Sequence, residues 1–377
     1  GWDFPIVGAL ISPRPLMILS GRRDADFPPD GYHAVYQGAK RVYDRDAGGD
    51  SDRIREVDAD VGHSDPPLFR REVRQWMTRW LKGGQTILPE EPATETPDER
   101  AEDLACLAQL PADAVNFRIQ NEFVPIAAFK PPRTRAAWAG RRSELLDGLR
   151  DRVFRWFPTR RIPFETREEK GGGGWAGRYA DYTEVSFQSE DGARIRGRLF
   201  RPKTGTADVP LVIQVRRPGD SIYFMDLDEL LPLLGRCTVL VLNPRFTEVP
   251  ITSAQYRDLE FTASWCGRTV ASMQVWDILR AVEWALGEAK LAASEVSLQG
   301  RCEMGVLSVY AALFDERVSQ VILHDPPATH WQQPALLNVL RVTDIPEAAG
   351  ALAPRRLVFI REFPAAFEPT RGIYRRI

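Results

Sequence analysis

One stretch of this chain occurs twice, and the repetition limits what the chain can fold into more than any other feature. Asp3-Phe4-Pro5 through Ser12-Pro13-Arg14-Pro15-Leu16 aligns without a gap on Asp344-Ile345-Pro346 through Ala353-Pro354-Arg355-Arg356-Leu357, an offset of 344 − 3 = 341 residues. Solenoid repeats run roughly 20–50 residues, so a period this long belongs to whole domains. With 377 residues, two domains or so are expected. The chain is then expected to begin late in one domain copy and to end at a similar place in a second.

The elements around the repeat read as an α/β fold. Residues 16–19, Leu-Met-Ile-Leu, have the length and type of a buried parallel strand. They lead into a loop that carries Asp24 before Phe27-Pro28. Tyr32, Val35, Tyr36, Ala39, Val42 and Tyr43 share one helical stripe. A second strand at 54–57 precedes Asp60-Val61-Gly62-His63, and Phe69, Val73, Trp76, Met77 and Trp80 predict a helix ending at Gly83-Gly84. Further on, a hairpin turning at Asp191-Gly192 precedes apolar runs at 211–215, 238–242, 295–298, 318–323 and 357–360. Helical segments at 270–286 and 305–314 separate some of these runs. Strands alternating with helices predict a mostly parallel sheet flanked by helices.

Between these regions, residues 88–103 have a linker's Pro, Glu, Thr and Asp. A helix over 138–157 is expected to dock on a neighbour, and Gly171 to Gly174 reads as a flexible joint. The expected division is 1–84, 85–177 and 178–377, with the middle part an extra, partly helical linker segment.

Between the strand at 295–298 and the helix that follows lies Gly300-Arg301-Cys302-Glu303-Met304-Gly305. Small residues flank a potential nucleophile at a strand-to-helix turn, as a nucleophile elbow requires. The apex is cysteine where serine is usual, and Met304 stands where glycine is usual. The charge balance, 50 Lys+Arg against 52 Asp+Glu, implies neither nucleic acid nor an anionic membrane as partner. Four widely spaced cysteines form no zinc-type cluster, and no apolar run reaches the ~18 residues of a membrane span. Neither a cofactor nor a metal is expected. No signal peptide is evident, so a processed chain or a piece of something larger is expected; the compartment stays open, with a secreted or periplasmic one among those allowed.

Taken together, Pro13-Arg14-Pro15-Leu16, Gly21-x-x-Asp24-x-x-Phe27-Pro28, Gly62-His63, the helix with Trp76 and Trp80, and the elbow at Cys302 resemble the α/β-hydrolase superfamily. The resemblance is narrower to its acetyl xylan esterase and prolyl-oligopeptidase-like branch, in a tandem arrangement. It covers roughly residues 1–84 and 178–361. It implies an α/β-hydrolase fold and hydrolysis of a small-molecule or carbohydrate ester, with Cys302 as nucleophile, His63 as base and Asp24 as acid. The backbone N–H of Glu303 would serve the oxyanion hole, with a second donor from the loop at residues 216–220.

The second copy has no carboxylate aligned with Asp24 and stops before any equivalent of His63. Two arrangements stay open. In one, the chain is part of a tandem hydrolase whose second copy is degenerate; in the other, residues 1–84 complete a single hydrolase with 178–361. A degenerate module with a binding or structural role is the alternative function. A homo-oligomer or domain-swapped dimer is compatible with either.

Overall fold

The computed structural model describes residues 3–83, 100–129, 132, 134–171, 180–203, 209–219, 230–248, 252–291 and 293–377. Most of the expected linker and Gly172 to Gly174 lie outside the described residues. The chain divides into two compact units, Gly1–Ala112 and Asp113–Ile377.

The first unit runs α1 (Phe4–Ala9), β1 (Leu16–Gly21), α2 (Pro29–Ala47), β2 (Ile54–Ala59) and α3 (Pro67–Lys82). Proline in the first turn starts both longer helices, and Gly48 and Gly83, at φ 70° and 65°, end them in left-handed caps. The strands pair in parallel from Leu16↔Ile54 to Gly21↔Ala59, and Ala39, Tyr43 and Ile54 form the core between helix and sheet. The Tyr43 hydroxyl reaches the Arg14 carbonyl at 2.5 Å, fixing α2 to the entry of β1.

The second unit begins with α4 (Ile119–Phe123) and α5 (Arg135–Gly148), then β3 (Arg167–Lys170), β4 (Ala180–Glu190), β5 (Ala193–Pro202), β6 (Leu211–Val215) and β7 (Thr238–Asn243). It continues with α6 (Ser253–Trp265), α7 (Val270–Glu283), β8 (Val296–Arg301), α8 (Cys302–Phe314), β9 (Gln320–His324), α9 (Ile345–Gly350), β10 (Arg356–Ile360) and α10 (Glu368–Tyr374). Among the described residues of this unit, one sheet holds eight strands in the order β10-β9-β8-β6-β7-β5-β4-β3. The expected parallel sheet holds for β7, β6, β8, β9 and β10, but the sheet as a whole is mixed, since β3, β4 and β5 join antiparallel. For β4 and β5 the cause is the tight turn at Gly192, with φ 74°, which returns β5 directly along β4 without a crossover helix.

Among the described residues of this unit, β7, β8, α7 and α8 are mostly buried. Ten of the thirteen residues of α8, from Met304 to Leu313, are buried, and an all-round apolar helix is stable only when covered on every side. Trp138, Leu145, Leu149 and Phe154 join the same core, so the segment after α4 packs into this unit. Among the described residues, no helix is long and apolar enough to cross a membrane.

The repeated stretch folds alike in both units. Asp3 caps α1 through the Phe4 N–H at 2.7 Å, and Asp344 caps α9 through the Ile345 N–H at 2.8 Å. Tyr374 reaches the Arg355 carbonyl at 2.7 Å, as Tyr43 reaches that of Arg14. The surroundings differ. Phe4, Ile6, Val7 and Leu10 are 41–74% exposed, whereas their counterparts Ile345, Glu347, Ala348 and Ala351 are at most 2% exposed.

Candidate functional site

The site residues expected from sequence fall in both units: Asp24 and His63 in the first, Cys302 and Glu303 in the second.

In the first unit, Asp24 follows the C-terminal end of β1 and His63 the C-terminal end of β2, the edge at which open α/β sheets assemble their sites. Thirty-nine residues apart in sequence, they meet: His63 Nδ1 lies 2.9 Å from Asp24 Oδ2. Since an ionised carboxylate only accepts, Nδ1 carries the hydrogen, and in the neutral ring Nε2 is left with the lone pair of a base. The imidazole is largely exposed while the Asp24 carboxyl is buried, and Phe27 stacks on the ring at 5.8 Å. Burial pushes the Asp24 carboxyl upward. Hydrogen bonds from the Asp26 N–H, from His63 and from the Phe27 N–H outweigh it and hold the group below its ordinary value.

Gly21 makes this pairing feasible. A Cβ there would stand 2.5 Å from the Val61 carbonyl oxygen and 2.6 Å from that of Gly62, so the two loops approach only across a glycine. The Arg23 N–H donates to the Val61 carbonyl at 3.0 Å, completing the bridge. Asp26 joins the pair, and one ligand atom from each of the three residues lies within 4.8 Å of the others. This carboxylate–imidazole set could accept a cation in place of the hydrogen-bonded arrangement.

In the second unit, Cys302 is the first residue of α8 and has φ 46°, the left-handed apex of a sharp strand-to-helix turn. Gly300 and Gly305 allow it, because a Cβ on Gly300 would stand 2.5 Å from the Gly305 nitrogen. Met304 is buried, its side chain part of the core rather than of the exposed turn. Glu303, in the first helical turn, has a backbone N–H without an intrahelical acceptor by position.

Arg217 is the residue that sequence reading named only as part of a loop. It donates from Nη1 to Cys302 Sγ at 3.3 Å, and its Nε lies 3.6 Å from Glu303 Oε1. Burial pushes the Cys302 thiol up. The Arg217 charge pulls the other way, while Glu303 and Asp325 reinforce burial, leaving the thiol above its ordinary value.

Two further groups flank this region. The Tyr256 hydroxyl donates to Glu260 at 3.1 Å, and burial raises both groups, the Tyr256 phenol also responding to Glu260 and Glu303. His324 is buried with Gln299 Nε2 3.2 Å from its Nε2, consistent with a packing role.

No protein-family model and no curated protein sequence matches this chain. Solved structures do. A candidate acetyl xylan esterase from Bacteroides fragilis matches with a TM-score of 0.54 at 10% identity, over 68% of this chain and 77% of its own. A glucuronoyl esterase from Solibacter usitatus gives 0.48 at 12% identity over 67% and 86%. An acetyl xylan esterase from Paenibacillus sp. R4 gives 0.45 at 14% over 69% and 89%. At these identities the first match establishes likeness of fold alone, an α/β architecture with a mixed sheet.

Proposed function

We propose that the protein is a carboxylic-ester hydrolase acting on acylated carbohydrate or another small ester. The observation that carries this reading is the Asp24–His63 pair, built at the C-terminal ends of two parallel strands with the imidazole tautomer set for base catalysis. The candidate acetyl xylan esterase whose fold the chain shares adds carbohydrate acetate as the substrate class to try first.

Roles follow from each residue's own setting. Cys302 takes the nucleophile's place in the second unit: its sulfur adds to the ester carbonyl as its proton leaves to a general base. In the first unit His63 has a base's role, Asp24 holding its ring and offsetting the imidazolium charge. The carbonyl oxygen, now negative, accepts from the Glu303 N–H. Collapse breaks the carbon–oxygen bond, the departing alcohol takes a proton from the general acid, and water then hydrolyses the thioester by the same exchange.

A second reading, in which the elbow unit is degenerate, draws on the Cys302 thiol being pushed up by burial and by Glu303 and Asp325. Acetate release from acetylated xylo-oligosaccharides distinguishes them. Hydrolysis by the parent protein that disappears in Cys302→Ala supports the first reading. Hydrolysis unchanged in Cys302→Ala removes the cysteine from the mechanism, and no hydrolysis by a folded parent supports the degenerate reading.

A further inference from the structure

We propose that Arg217 is the charge partner of the reacting centre at Cys302, holding the thiolate before attack and the oxyanion after it. This rests on the hydrolase reading above and adds a residue to it.

The sheet places Arg217 there. β6 and β8 pair in parallel with Val215↔Gly300, and two residues further along each chain stand Arg217 and Cys302. The register that closes the core of the sheet thus carries a guanidinium to the elbow, whose Nη1 donates to Sγ at 3.3 Å.

The backbone of the same loop explains why a side chain is needed. Arg216 donates its N–H to the Leu242 carbonyl at 3.0 Å, extending the sheet, and Pro218 has no N–H. Two of the first three positions after β6 therefore supply no backbone donor to an oxyanion. A guanidinium carries five donors and a permanent charge. Glu303, 3.6 Å from Arg217 Nε, holds the head group, leaving Nη1 directed at the sulfur.

The position suits both charge states. When Sγ is a thiolate, the negative charge lies within hydrogen-bonding distance of Nη1. On attack, the Sγ–C bond forms and the carbonyl π pair moves to oxygen, so the charge shifts by about one bond length or two while the guanidinium keeps donating to it. When the intermediate collapses, the pair returns to the carbonyl and the alkoxide leaves with a proton from the general acid. No oxidant or additional reactant is involved.

Two readouts on the full chain test this. The first is the pH dependence of Cys302 alkylation by iodoacetamide, followed on the peptide that contains it, which reports the thiolate whether or not the protein turns over an ester. Arg217→Gln is expected to move the midpoint to higher pH, Arg217→Lys to restore most of it, and Glu303→Gln to move it to lower pH. The second is hydrolysis of p-nitrophenyl acetate: Arg217→Gln is expected to lower kcat by about 10²–10³-fold with little change in KM, as for loss of one oxyanion donor.

An alkylation midpoint unmoved in Arg217→Gln overturns the proposal whatever the turnover, as does a moved midpoint with unchanged kcat. A parent without turnover whose midpoint still moves refutes the hydrolase reading and leaves the Arg217–thiolate pairing standing. If Arg217→Gln fails to fold, Arg217→Met takes its place, with the same expected rise of the alkylation midpoint and the same overturning result if it does not move.

Discussion

Gly300→Ala should cost the elbow unit heavily, for a reason visible in three backbone atoms. The new methyl would stand 2.5 Å from the Gly305 nitrogen, 2.5 Å from the Met304 carbonyl carbon and 2.6 Å from the Met304 oxygen, against 3.4 Å for the start of ordinary contact. The first turn of α8 would have to retreat by 3.4 − 2.5 = 0.9 Å. It cannot do so independently, because Met304, Val306, Leu307 and Val309 on the same helix are buried in the main core. Overpacking against backbone of this kind costs about 3 kcal/mol, the upper part of the usual range. For a unit of this size that lowers the melting temperature by about 6–12 °C.

Gly140→Ala provides the control. It lies within α5, exposed, with nothing within 4 Å of the added carbon, and should gain about 1 kcal/mol, or about 2–4 °C. Differential scanning fluorimetry of both variants reads the contrast. A Gly300→Ala protein melting within about 2 °C of the parent would refute the close approach at the elbow.

Asp277, fully buried, accepts from the Arg245 backbone at 2.9 Å and from Arg245 Nη2 at 2.6 Å. Asp277→Ala removes one of two carboxylates on the largely buried Arg245 guanidinium, Glu190 remaining at 3.1 Å, and should therefore lose about 3 kcal/mol in urea unfolding, the low end for a broken buried pair; a loss below about 1 kcal/mol would contradict that. His330 provides a pH dependence. Its Nδ1 donates to the Pro334 carbonyl at 2.8 Å, so Nε2 accepts from the Tyr310 hydroxyl at 2.6 Å. Burial lowers its value below 6.5, against smaller opposing effects of the Pro334 carbonyl and Asp344. The unfolded chain then binds the extra proton first, so this contribution is complete above pH 6.5 and is lost as pH falls below it. Melting temperatures between pH 7.5 and 5 should fall less steeply in His330→Asn than in the parent; equal slopes would exclude His330 as a source.

What the sequence makes legible is local. The elbow can be read because Gly300 and Gly305 flank a nucleophile between an apolar strand and an apolar helix. The helix nevertheless starts at Cys302 rather than at 305, since the residue at the apex is already the first of the helix. Residues 16–19 are recognisable as a strand, but Gly21 declares nothing by itself. Its importance depends on the Val61 and Gly62 carbonyls, forty residues away, crossing where a side chain would be. Arg217 is hidden for the same reason, because only the β6–β8 register sets it against Cys302. The antiparallel edge could be expected at Gly192, although its extension to β3 and β7 depends on pairings without a local signal. The repeat shows the limit most clearly: Asp3 and Asp344 cap helices of like sequence pattern, yet one helix is exposed and the other buried, because burial belongs to the neighbours.

Whether Asp24 and His63 act as the acid and base of an ester hydrolase is read from steady-state acetate release by His63→Ala and Asp24→Asn. Both should fold like the parent, His63 being largely exposed, and both should lose about 10³-fold or more in kcat, Asn at 24 by favouring the wrong imidazole tautomer. Parent-like kcat in either variant would contradict the account.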